Sequence, residues 1–187
     1  MYAHILFLSN IVQAATTRTP AIIYFPAGTY VISSSLLPAY FTQMIGDAQN
    51  PPTLKATANF AGFGLIDGNH YYSENLNWIS TNVFYRQVRN FVLDTTNIPP
   101  RTAATGMHWP TSQATSILNV KFVMPIGNGV VHVGLFIESG MFLASRANIT
   151  TDVTLTTCHR VTTFPFFAAW TAVLTIRKVV ALASCLT

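Results

Sequence analysis

The feature that most constrains the fold is a short pattern that occurs twice. Asn90-Phe91-Val92-Leu93 and Asn119-Val120-Lys121-Phe122 share one form: an asparagine, an apolar residue, any residue, and a second apolar residue. The two asparagines stand 29 residues apart. A repeat of this length with one short strand per unit predicts a solenoid of stacked coils. Asparagine suits the bend before each strand, because it tolerates left-handed backbone and its amide bonds nearby main chain. Two unrelated strands of a β-sandwich would give the same pattern. The solenoid makes the sharper expectation, which is that Phe91 and Leu93 stack near Val120 and Phe122.

The rest of the chain reads as strands and turns. Residues 21–33 form two strands joined at Pro26-Ala27-Gly28, which is turn chemistry between β-branched and aromatic flanks. Gly46-Asp47 and Asn50-Pro51-Pro52 punctuate the next stretch, the prolines forcing an extended exit. Residues 63–68 are a strand ending at Asp67-Gly68, where Asp67 reads as a turn residue. A polar, aromatic loop follows over 69–78, carrying His70, Tyr71, Tyr72 and Trp78. Strand character resumes over 81–95, 117–124 and 131–138, and no segment before Gly140 has a helical period.

Composition narrows the class. Half of the 187 residues are hydrophobic and 9% are charged, which excludes a disordered chain and fits strands buried on more than one face. The net charge is +4, but Arg18, Lys55, Arg86, Arg89, Arg101 and Lys121 are scattered, so no nucleic-acid partner is expected. No apolar run is long enough for a membrane-spanning helix, so no membrane partner is expected either. Residues 1–18 read as an irregular or signal-like segment, because the apolar opening lacks a preceding cation and Asn10 interrupts it. Cys158 and Cys185 fit a disulfide or none. No metal-ligand or nucleotide-binding spacing is present, and no cofactor is expected.

Several motifs in order along residues 19–140 carry a family resemblance. They are Tyr24-Phe25-Pro26-Ala27-Gly28-Thr29-Tyr30, Gln43-Met44-Ile45-Gly46-Asp47 with Asn50-Pro51-Pro52, and Gly64-Leu65-Ile66-Asp67-Gly68. Leu76-Asn77-Trp78, Asn82 through Asn90, Ala104-Thr105-Gly106-Met107-His108-Trp109-Pro110 and Gly134-Leu135-Phe136-Ile137-Glu138 continue the series. Together they resemble the fungal exo-β-1,3-glucanases of glycoside hydrolase family 55, within the wider pectate-lyase-like superfamily. The resemblance implies an all-β chain folded as part of a right-handed parallel β-helix. It further implies a secreted, extracellular enzyme that releases glucose from the end of β-1,3-glucan with inversion. In that family two β-helices flank the active-site cleft, and the catalytic glutamate lies on the second. This chain resembles part of the first alone, so it is expected to be a fragment, inactive by itself.

Inverting hydrolysis needs an acid on the leaving oxygen and a water held on the opposite face. The resemblance gives the water to a glutamine and a serine of the first helix. Gln113 falls at the glutamine, and its amide both donates and accepts. The serine is absent, because the family's Gly-Ser-Gly-Gly is replaced by Gly140-Met141-Phe142. His108 and Trp109 are candidates to bind the sugar, Trp109 by stacking, with core packing as the alternative for its ring. Glu138 is a carboxylate at a strand end with no role that the family assigns. Two further readings stay open. One is a non-catalytic glycan-binding or structural β-helix, and the other is a pectin-active β-helix enzyme.

The composition changes at Gly140. None of the ten glycines follows it, both cysteines do, and Asp152 is the one acid among 141–187. Solenoid corners need residues that accept positive φ, so this tail is expected to be foreign to the fold. A retained intron that starts inside the Gly140-Met141 codons, with a shifted frame behind it, would produce it. The tail is expected to be poorly ordered with Cys158 and Cys185 unpaired, and the open end of the coil stack is expected to favour self-association.

Overall fold

The computed structural model describes residues 19–72, 82–112 and 114–137 in full, and the backbone of three later strands. The strands are β1 (Ala21–Phe25), β2 (Thr29–Leu36), β3 (Thr42–Gly46), β4 (Thr53–Asp67), β5 (Gln87–Asp94) and β6 (Ala104–His108). They continue as β7 (Ser116–Val123), β8 (His132–Ile137), β9 (Thr151–Leu155), β10 (Thr162–Thr163) and β11 (Ile176–Val179). Every pairing among them is parallel, and no α-helix occurs among the described residues. This is a partial parallel β-helix, as the repeat and the resemblance predict.

The coils have three faces. On the first, Ile23, Met44, Val88 and Ile117 stack as successive register partners in β1, β3, β5 and β7. On the second, Tyr30, Leu54, Leu93 and Phe122 do the same in β2, β4, β5 and β7. On the third, Leu36, Ile66, Met107 and Leu135 stack in β2, β4, β6 and β8. The predicted neighbours are therefore direct partners, Phe91 opposite Val120 and Leu93 opposite Phe122. The rows converge on one core, whose largest enclosed side chains include Trp109, Phe91, Phe122 and Met44.

The corner between the first two faces explains the repeat. Asn90 and Asn119 have φ of 59° and 51°, so each turns β5 or β7 from one face to the next with a single left-handed residue. Their amides form a ladder along the coil axis. Asn119 Nδ2 donates to Asn90 Oδ1 at 2.9 Å, and Asn90 Nδ2 donates to the Gly46 carbonyl at 3.1 Å. The preceding coil has Gly46 at this level, where a Cβ would strike the Asn90 carbonyl oxygen and the Pro52 ring.

Two strands are absent from the sequence reading. For residues 42–46 the sequence marks only the Gly46-Asp47 turn, and 104–108 read as the approach to a sugar site, yet they form β3 and β6. Neither carries the polar-out pattern that marks a strand, because the outward position 45 of β3 is Ile and the His108 end of β6 is covered. Within the tail, the described backbone adds β9 to β7, β10 to β8 and β11 to β9. Cys158 and Cys185 lie outside the described residues.

Candidate functional site

The third face ends in a polar row. Asp67, His108 and Phe136 are register partners at the ends of β4, β6 and β8. Asp67 and His108 have fully enclosed side chains, and His108 Nδ1 lies 2.8 Å from Asp67 Oδ1. The next loop returns His70, whose Nδ1 lies 3.0 Å from Asp67 Oδ2 and whose side chain is 34% exposed. The Asn69 N–H also donates to Asp67 Oδ1, at 3.2 Å. An ionised carboxylate only accepts, so Nδ1 is the protonated nitrogen of both imidazoles.

Burial pushes the Asp67 carboxyl up, but the hydrogen bonds from His108 and then His70, the charge of His108, and the Asn69 N–H outweigh it. The carboxyl is held below its ordinary value and stays ionised. Arg86, 5% exposed, faces the same charge. Its burial lowers the guanidinium to about 10, against the opposing pull of Asp67 and then Tyr40. Among the described residues its buried Nε has no hydrogen-bond partner, and neither has the Trp109 Nε1.

Aromatic rings enclose the inner histidine. Tyr71 stacks on His108 with centroids 5.4 Å apart and planes 13° from parallel, and Phe63 lies at 4.5 Å. The outer histidine is different. Tyr72, 71% exposed, stands edge-on to His70 at 5.0 Å, and His70 Nε2 has no partner among the described residues. The result is a rigid base, made of Asp67 and His108, holding an accessible imidazole beside an open tyrosine ring.

The segment that follows β6 passes this base. Ser112 N–H donates to the Val83 carbonyl at 2.8 Å, and Thr115 Oγ1 donates to the Ser112 carbonyl at 2.8 Å. Ala114 takes φ of 54°, so a tight, internally bonded turn flanks position 113. Gln113 itself, like Glu138, lies outside the described residues. His108 and Trp109 are brought together but enclosed, at 0% and 1% exposure, and the ring proposed for sugar stacking packs in the core. Sequence reading missed the partnership of Asp67, His70 and His108, because Asp67 and His108 meet only across coils, 41 residues apart. The available signal was a histidine three residues after a strand-end aspartate. Among the described residues no group of three His, Cys, Asp or Glu is placed to hold a metal ion.

Comparison with known proteins places the chain. The sequence model of the family described as "Rhamnogalacturonase A/epimerase, pectate lyase-like" matches residues 6–171. A protein of Cochliobolus carbonum named "Glucan 1,3-beta-glucosidase" is 42% identical over 128 residues, covering 67% of this chain and 16% of its own length. One of Arthroderma benhamiae named "Probable glucan endo-1,3-beta-glucosidase" is 40% identical over 129 residues, 67% of this chain and 15% of that protein. A "Non-secreted LysM effector LysM19" of Penicillium expansum is 38% identical over 128 residues, 68% of this chain and 10% of that protein. The chain thus spans about one sixth or less of the length of these relatives.

Proposed function

The chain belongs to the rhamnogalacturonase A/epimerase, pectate lyase-like family, and from that premise we propose that its coils are part of a glycoside hydrolase acting on β-1,3-glucan. The observation that carries this reading is the 42% identity, over 128 residues, to a protein named for glucan 1,3-beta-glucosidase activity. The reaction is an exo-acting, inverting hydrolysis outside the cell. Gln113 holds the attacking water through its amide. The proton for the leaving oxygen comes from a carboxylic acid on coils beyond these, so this chain alone binds glucan without cleaving it.

The exposed rim at His70 and Tyr72 supports the binding half of this reading. A pyranose has an apolar C–H face and an edge of hydroxyls. Tyr72 offers an open ring for the face, and His70 Nε2 offers a hydrogen bond for the edge. His108 and Trp109 then serve the sugar from behind, by fixing the wall that carries these groups.

The test is retardation of the purified chain in gels containing laminarin, against gels containing polygalacturonate, with glucose release assayed in parallel. Retardation by laminarin alone, with no glucose released, is the expected result. Preferential retardation by polygalacturonate overturns the glucan reading. Glucose release that persists in Glu138→Gln places the acid elsewhere in this chain and overturns the division of labour, and its loss in that variant makes Glu138 the acid.

A further inference from the structure

The first face carries a groove that is separate from the Asp67 row. It has a volume of about 620 Å³ and is lined by Tyr24, Ile45, Asp47, Arg89, Leu118 and Asn119, with the Gly46 and Asn90 backbone between them. Its floor is a register row. Tyr24, Ile45, Arg89 and Leu118 are successive partners in β1, β3, β5 and β7, and all point away from the core. Its edge is the amide ladder of Asn90 and Asn119, one residue further along each strand.

These two borders differ in chemistry. The floor is apolar, made by a tyrosine ring, two aliphatic side chains and the stem of Arg89. The edge is polar, and it repeats with the coils at the strand spacing of about 4.8 Å. A linear polysaccharide has the same two-sided character, with C–H faces along one side and hydroxyls along the other.

The groups in the groove are already ordered. Asp47 accepts from the Gln49 and Asn50 N–H groups at 2.9 and 2.7 Å and from Tyr24 Oη at 3.0 Å, which fixes the tyrosine in place. Tyr24 nonetheless remains 55% exposed. Arg89 makes no ion pair or side-chain hydrogen bond among the described residues, and its Nε is buried without a partner. Asn119 uses one amide proton in the ladder and leaves its Oδ1 without a partner among the described residues. Among the described residues the lining therefore holds one anion, Asp47, one cation, Arg89, and hydrogen-bond capacity that none of them meets, a balance with no net charge to select a polyanion.

We propose that this groove is a second glycan-binding site, taking a neutral, hydroxyl-rich polysaccharide laid across the coils on the first face. Tyr24 stacks on a sugar face, while the Arg89 guanidinium and the Asn119 amide bond hydroxyls. The site holds the chain of a polymer away from the Asp67 row and stands whether or not that row binds β-1,3-glucan.

Calorimetric titration of the full chain with laminarihexaose, cellohexaose and hexagalacturonate tests it. Each variant is first checked for wild-type circular dichroism. The expected result is two sites for a neutral hexasaccharide. Tyr24→Ala and Arg89→Gln each weaken one of them by about tenfold, the worth of one stacking or charged hydrogen-bond contact. The double variant His70→Ala, Tyr72→Ala leaves that site unchanged. Wild-type affinity and stoichiometry in both groove variants overturns the proposal, and so does a preference for hexagalacturonate or the absence of heat with all three ligands. Groove-dependent binding of cellohexaose without any binding of laminarihexaose upholds the groove and overturns the β-1,3-glucan reading.

Discussion

Asp67 shows how much one side chain settles here. Its two oxygens tie together a strand end, the next coil's strand end and the loop between, through His108, His70 and the Asn69 N–H. Asp67→Ala leaves two imidazole donors facing an enclosed void, so a loss of about 3–5 kcal/mol is expected in urea unfolding. The pH dependence follows from the direction of the shift. The folded carboxyl sits below its unfolded value, so the folded chain binds fewer protons and is stabilised above the unfolded carboxylate range, near pH 4. That stabilisation falls away as the pH drops through the depressed folded value. Asp94 acts in the same sense, since Thr96 and Lys55 overcome its burial and lower it. Melting curves of the wild type should lose stability below about pH 4, and Asp67→Asn should flatten that decline while starting from a lower value.

At the level of the strand, what matters is how closely coils approach. Gly106 in β6 has no room for a side chain, because a Cβ would lie 2.6 Å from both the Gly134 carbonyl oxygen and a Phe122 ring carbon. Gly106→Ala is expected to destabilise by about 1–3 kcal/mol through overpacking. Shortening Phe122 to Leu in the same chain should recover part of that, a coupling that a double-mutant cycle reads directly. An additive result would place the strain on the Gly134 carbonyl instead. The same scale explains what the sequence made legible. Strands β5 and β7 announced themselves because a corner needs a residue that tolerates positive φ, and Asn90 and Asn119 mark it 29 residues apart. Strands β3 and β6 did not, because apolar Ile45 stands at an outward position of β3, and Gly106 with the covered His108 interrupts the alternation of β6. The Asp67 cluster stayed hidden for a related reason. His70 is a local partner that a sequence can suggest, whereas His108 arrives only when β6 stacks on β4. The fate of the Trp109 ring, in the core rather than open, also depends on that stacking.

For the molecule as a whole, each coil touches chiefly the coils before and after it, so stability accumulates rung by rung. The constant register from β5 to β7, with Arg89 opposite Leu118 and Phe91 opposite Val120, makes one coil a removable unit. Deleting residues 90–118 joins Arg89 to Asn119 and keeps every remaining side chain on its own face. Deleting 90–117 differs by a single residue, yet it puts Leu118 where the corner asparagine belongs and moves the following residues to the opposite face. The first deletion is expected to give a soluble chain with a strand-type circular dichroism spectrum and a lower melting temperature. The second is expected to give no cooperative melting, and a cooperative transition of equal midpoint in both would show that register is not set by the ladder. Seen this way, the asparagine corner is a unit of inheritance. A gene that gains or loses a whole number of such rungs changes the length of the protein without rewriting its core, so a family built on them can vary in size while each surviving coil keeps its own fit.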